Sequence, residues 1–281
     1  MLANVAGAGA AAVLIALAYL TTLAATPVLR GARTRWTRTV TTPTWPARRI
    51  PTPLLLLATA ATLLLTLTLT FAEIAEGVLE RDDLTVVDDP VTHWAVTHRT
   101  GPLNILATGI TDLGSAASLI ILLTVVAVTV AVRRRSMRPV LLAVAVGAGI
   151  QLLVALIKIT ISRPRPDPLD WLVTAGGYSF PSGHSGSSIA CFGMLAWLVA
   201  MATDNRRIQA TAWLSAAALA CAVGLSRIYL GVHYLSDVIG GWTLGAAWLT
   251  TVALAAMLVR ARRERRAAVA RPEGRMGATL T

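Results

Sequence analysis

Lysine is nearly missing from this chain: its 281 residues include one, Lys158, against 24 arginines. Charge of either sign is scarce, at 14% of residues where a soluble domain carries roughly 25%, so an ordinary water-facing surface is excluded. Cysteine is limited to Cys191 and Cys221. Both fall in apolar runs and read as buried thiols, not as a disulfide framework. The cysteine and histidine spacing of a metal site is absent, and neither a metal nor another cofactor is expected. No linker splits the sequence into soluble domains, and no internal repeat occurs.

Apolar residues are what the chain has in plenty: they make up 55% of it, and the mean hydropathy is +0.66. Crossing the hydrocarbon core takes roughly 20 mainly apolar residues. Seven runs qualify, at about 3–25, 52–72, 103–132, 139–161, 184–202, 208–226 and 236–259. The third is long enough to tilt or to begin before the membrane. The expected fold class is all-α: a polytopic transmembrane helical bundle, with a six-helix core and one extra N-terminal transmembrane helix. Residues 1–51 hold that extra helix and a basic loop, 52–259 the membrane-embedded core, and 260–281 a basic tail. The tail is expected to be helical for a turn or two and then disordered. The first run has no basic segment before it, and Arg30, Arg33 and Arg35 follow it. It reads as a retained helix and not as a cleaved signal peptide.

The net charge of +11 is unevenly placed. Nineteen basic residues lie in 26–51, Arg133 to Arg138, Arg206–Arg207 and the tail from Arg260; alternate connections carry six. That asymmetry follows the positive-inside pattern of a plasma membrane protein. It puts the N-terminus outside, the C-terminus inside and the acidic stretch Glu73 to Asp89 outside. The basic tail is expected to meet anionic lipid headgroups, and nucleic acid is not an expected partner. Within 73–102, Val91 to Arg99 reads as a short amphipathic helix resting on the bilayer with Trp94 as anchor.

Three sequence blocks carry chemistry: Lys158-Ile-Thr-Ile-Ser-Arg-Pro-Arg165-Pro166, Pro181-Ser182-Gly183-His184, and Ser226-Arg227 followed by His233 and Asp237. The span order brings all three to the outer membrane boundary, independently of their composition. Lys158, Arg165 and Arg227 supply positive charge for a phosphate: the arginines as rigid forks, the lysine as a point charge. A snorkelling helix-end cation accounts for any one of them, but less well for all three together. Ser182 and Gly183 sit where a loop enters a helix, and N–H groups there cradle anions. His233 and Asp237, four residues apart, share a helix face, so the carboxylate can hold one imidazole nitrogen and leave the other as a nucleophile. Asp112, about two turns inside the third run, is either a helix-to-helix hydrogen-bonding group near Thr111 and Ser115 or a contributor near the site.

These blocks resemble the type 2 phosphatidic acid phosphatase superfamily of integral membrane lipid phosphatases, which shares its site with glucose-6-phosphatase and vanadium haloperoxidases. The pattern K-x6-RP, PSGH, SR-x5-H-x3-D is matched at every position from Lys158 to Asp237. The resemblance covers roughly 52–259. It implies His233 as the group attacking phosphorus, Asp237 as its orienting partner and His184 as acid and then base. Lys158, Arg165, Arg227, Ser182 and the Gly183 N–H would hold the phosphate. Arg163, Ser226 and Asp112 are accessory candidates; Arg163 either assists Arg165 or faces lipid headgroups. No metal is required.

The implied activity is metal-independent hydrolysis of an amphiphilic lipid phosphate or diphosphate at the outer face, through a phosphohistidine. Undecaprenyl diphosphate and phosphatidic acid lead the candidates, with diacylglycerol diphosphate and phosphatidylglycerol phosphate beside them. The alternatives are a lipid phosphotransferase using the same histidine and a non-catalytic lipid transporter or binding protein. Protein partners and oligomeric state are not readable. Gly241 and Gly245 permit close helix packing, either within the bundle or between subunits.

Overall fold

The computed structural model describes residues 52–269, and among these no strand occurs. The expectations for the first apolar run, the basic loop and the last dozen residues lie outside the described residues. Eight helices are described: α1 (Thr52–Glu80), α2 (Asp88–Thr97), α3 (Gly101–Leu113), α4 (Ala116–Arg134), α5 (Arg138–Ile161), α6 (Gly183–Ala202), α7 (Arg206–Tyr229) and α8 (Leu235–Val269). Six of them, α1 and α4 to α8, are long and apolar enough to cross a membrane. Short 3₁₀ turns at Asp83–Val87 and Pro168–Asp170 lie in the connections.

The run at 103–132 is two helices, not one. Gly114 leaves the helical path, and Ser115 caps α4 by accepting the Ser118 N–H at 3.2 Å. A side chain at position 114 would collide with Val223, its nearest approach 2.3 Å, so the break is packed against α7. Nineteen residues of α4 suffice to span alone, and α3 precedes the span. The short helix expected at 91–99 begins three residues earlier, at Asp88, because Asp88 and Asp89 suit the positive end of a helix dipole. Trp94 is exposed on it.

α6 is the central element, buried on nearly all sides and packed against α4, α5, α7 and α8. Its main cluster joins Phe192, Met194, Leu195 and Leu198 to Leu122 and Val126 of α4, Ile150 of α5 and Val223 of α7. The approach of α8 is close. A side chain at Gly245 would come within 2.3 Å of the Gly186 carbonyl oxygen, and one at Gly241 within 2.6 Å of that of Ser182. Gly241 and Gly245 therefore serve packing inside the bundle. Cys191 is buried as expected, but Cys221 is exposed on the outer surface of α7: an apolar helix in lipid need not turn its thiol inward.

The alternating direction of the spanning helices puts the ends of α1, α5 and α7 and the starts of α4, α6 and α8 at one end of the bundle. The arginines at 133–138, 206–207 and 260–266 lie at the other. At that end Arg135 closes α4 in a left-handed conformation and Pro139 opens α5, which makes a tight hairpin.

Candidate active site

Each of the three blocks sits at a helix terminus set by local sequence. α5 ends just after Lys158: Ser162 is left-handed at φ 52° and returns its N–H to the Lys158 carbonyl, while Pro164 and Pro166 bar further helix. α6 begins at Gly183 behind Ser182, whose oxygen accepts the Ser185 N–H at 3.4 Å. α7 closes past Arg227, and a turn at Gly231 delivers His233 to the start of α8. Gly231 has φ +75°, and a Cβ there would strike the Asp170 carbonyl oxygen at 2.4 Å, so only glycine fits. Arg99 donates to the Tyr229 carbonyl at 2.9 and 3.0 Å and fixes this turn from the side of α2.

At the centre lies His233, 2% exposed, with its Nδ1 3.2 Å from Asp237 Oδ2 and its Nε2 3.0 Å from Arg165 Nη1. A guanidinium can only donate. Nε2 must therefore accept, and the ring proton belongs on Nδ1, directed at Asp237. Burial pushes the His233 pKa down to about 3, although the Asp237 carboxylate pulls the other way. The resting imidazole is neutral, with a lone pair on Nε2.

Asp237 is fully buried and heavily bonded. Its Oδ2 also accepts the Tyr234 N–H at 2.9 Å and the Ser179 hydroxyl, and its Oδ1 accepts Arg163 Nη1 at 2.7 Å. Arg163 continues to Asp88, its Nη2 lying 2.7 Å from Asp88 Oδ2. Burial opposes the Arg163 charge, but Asp237 and Asp88 outweigh it and hold the guanidinium pKa above its usual value. The two neighbouring arginines thus have different partners: Arg165 meets His233, and Arg163 bridges two carboxylates.

The remaining cations surround the histidines. Arg165 donates to the carbonyls of Gly176, Gly177 and Val232, and Lys158 to those of Tyr178 and Ser179, so both pin the loop before α6. Burial lowers the Arg165 pKa, with Asp237 opposing. Arg227 is 5% exposed, with Nη1 on the Thr111 hydroxyl at 2.8 Å and no protein partner for Nε. A buried guanidinium with an open donor is poised for an anion. His184, at the start of α6, lies within electrostatic reach of Arg227, His233, Arg165 and Lys158.

Not every candidate is assembled here. Ser226 turns its hydroxyl back to the Val223 carbonyl at 2.7 Å and stays within its own helix. The Ser182 hydroxyl oxygen is buried in the α6 cap, where the Ser185 hydroxyl also bonds it at 2.9 Å. Asp112 is half-buried beside Arg227, while its neighbour Thr111 makes the hydrogen bond. Sequence reading missed Asp88, Ser179 and Ser236, none of which belongs to a spaced motif, and named Thr111 only as a neighbour of Asp112. The only signal for Asp88 was its place beside Asp89 and Pro90 at a helix start. Among the described residues no group of three or more histidine, cysteine or acidic side chains could hold a metal.

Comparison with known proteins follows the same outline. The family model described as the PAP2 superfamily matches residues 136–261, from the start of α5 into α8. Phosphatidylglycerophosphatase B of Bacillus subtilis is 34% identical over 159 residues, 56% of this chain and 77% of that protein. The crystal structure of a transmembrane PAP2-type phosphatidylglycerolphosphate phosphatase from Bacillus subtilis superposes with a TM-score of 0.63 at 29% identity. It covers 72% of this chain and 96% of its own. An identity of that size across most of a relative, with the same bundle of helices, means that this chain belongs to the PAP2 superfamily and is a membrane phosphatase.

Proposed function

We propose that this protein hydrolyses a lipid phosphate at the outer face of the membrane through a phosphohistidine on His233, without a metal. The carrying observation is the meeting of His233, Asp237, Arg165 and Arg163 at one end of the bundle, with His184, Lys158 and Arg227 within electrostatic reach. The phosphate would displace the Arg165 contact from Nε2 and take the Arg165, Lys158 and Arg227 donors onto its oxygens. The Nε2 lone pair then forms the N–P bond as the P–O bond to the lipid breaks. Asp237 stabilises the cationic ring, since its Oδ2 already faces Nδ1.

The leaving oxygen needs a proton, and His184 is the candidate donor. The arriving phosphate adds negative charge beside it and favours its protonated form. In the second step a water attacks phosphorus, His184 takes the water proton, and the N–P electrons return to Nε2. Fixed donors around the equatorial oxygens supply the main stabilisation of this charge.

An outward-facing site is supported by the arginine-rich ends, which lie at the opposite end of the bundle from the histidines. An amphiphilic substrate follows from a site at the ends of membrane-spanning helices. The relatives' activity places phosphatidylglycerol phosphate first to test, with undecaprenyl diphosphate and phosphatidic acid beside it. The test is phosphate release by purified protein in mixed micelles of each lipid, with EDTA present and His233→Ala as control. Release lost in the variant is expected. Release retained by His233→Ala would overturn the mechanism.

A further inference from the structure

Asp237 has two oxygens and two strong suitors, His233 and Arg163. An arginine beside a carboxylate tends to fork across both oxygens. If Arg163 did so here, it would take Oδ2, the oxygen that faces His233 Nδ1. It does not, because its second nitrogen is already engaged. Nη2 lies 2.7 Å from Asp88 Oδ2, which leaves Nη1 alone for Asp237 Oδ1, also at 2.7 Å.

Asp88 is itself firmly placed. It is 2% exposed, accepts the Ser236 N–H at 2.9 Å on Oδ1, and takes the Ser236 hydroxyl on Oδ2. Ser236 also accepts Arg163 Nη1 at 2.7 Å, so Asp88, Arg163 and the first turn of α8 form one closed polar unit. The Arg163 guanidinium lies 4.4 Å from the Tyr234 ring centroid, which holds its plane. On the other side, Asp88 and Arg163 line a cavity of about 640 Å³ with Arg81, Asp89, Pro164 and Tyr234.

We propose that Asp88, contributed by α2 from 145 residues before His233, is a positioning residue for the phosphatase reaction. By occupying Arg163 Nη2 it keeps Arg163 one-handed on Asp237 and reserves Asp237 Oδ2 for the nucleophile. The inference rests on His233 as nucleophile. It adds a residue outside all three spaced blocks, and it gives Arg163 a task distinct from that of Arg165. Neutralising Asp88 frees Arg163 to fork onto Asp237, which pulls the carboxylate off Nδ1. His233 then loses its orientation and the support for its developing charge, while the phosphate-binding cations keep theirs.

The test is a double-mutant cycle of Asp88→Asn and Arg163→Gln. Steady-state kinetics are normalised to sites that give a phosphohistidine burst, with Asp89→Asn as a neighbouring control. Asp88→Asn is expected to lower kcat about 10²-fold with KM within about threefold, as a misoriented reacting group does. The double variant should be less impaired than the product of the single effects, and Asp89→Asn should match wild type. A purely structural Asp88 would reduce the number of active sites and leave kcat per site unchanged; that result overturns the proposal. Additive losses would overturn the action through Arg163. Should Asp88→Asn accumulate poorly, Asp88→Ser reads the same point, since it too removes the carboxylate that holds Arg163 Nη2; wild-type kcat per active site in that variant would likewise refute it. A wild-type enzyme that forms no phosphohistidine would instead refute the nucleophile assignment.

Discussion

His233 sits between a carboxylate and a guanidinium, and these two neighbours settle where its proton lies. That arrangement has a cost that depends on pH. The unfolded chain protonates this histidine near pH 6.5, whereas the buried ring resists until about 3. Between those values the unfolded state holds the extra proton, so stability is fully present above about pH 6.5 and falls as the pH drops toward 3. The expected outcome is an unfolding midpoint in detergent that declines from pH 7 to pH 4.5 and declines less steeply in His233→Gln. An equal slope in both proteins would show that other groups govern the acid side. This residue was legible in the sequence because its partner lies one helical turn away. Asp88 was not, because its pairing with Arg163 spans 75 residues and depends on where α2 comes to rest.

At the scale of elements, the site depends on how closely α8 can approach α6. The backbone of Gly245 meets that of Gly186, and Gly241 meets Ser182 at the helix start that holds His184. Small residues make such contacts possible where lipid offers helices no hydrophobic drive to associate. Gly245→Ala would push a methyl against a backbone carbonyl, an overpacking that costs about 1–3 kcal/mol. A lower unfolding midpoint together with reduced kcat is expected, as α6 and the Ser182–His184 turn shift away from Asp237. Gly109→Ala, with open space around it, is expected to leave both unchanged. A Gly245→Ala protein with wild-type midpoint and kcat would count against a site set by this contact. The two glycines were visible in the sequence as packing residues. Whether they packed within the chain was not, because helix periodicity marks a face without naming its neighbour. The same limit explains the third apolar run, where hydropathy continued unbroken through Gly114 although the helix did not.

For the whole molecule, the alternation of helices separates a histidine end from an arginine end. An outward site predicts how thiol labels reach it. Leu169, 93% exposed in the loop beside Arg165, and Met137, 65% exposed between α4 and α5, mark the two ends. In a Cys221→Ser background, Leu169→Cys should react with a membrane-impermeant maleimide in intact cells, and Met137→Cys only after permeabilisation. The reverse pattern would place the histidines inside. The sequence by itself determined the helical class and the candidate spans, and it singled out the three blocks from Lys158 to Asp237 as candidates. It could do so because apolar run length, loop charge and short-range spacing are local properties. Tertiary structure alone decided what Arg163 pairs with, that Ser226 turns away, and that Asp88 reaches Arg163. Those outcomes depend on which helix ends meet, and burial makes each buried charge find a partner that spacing along the chain does not encode.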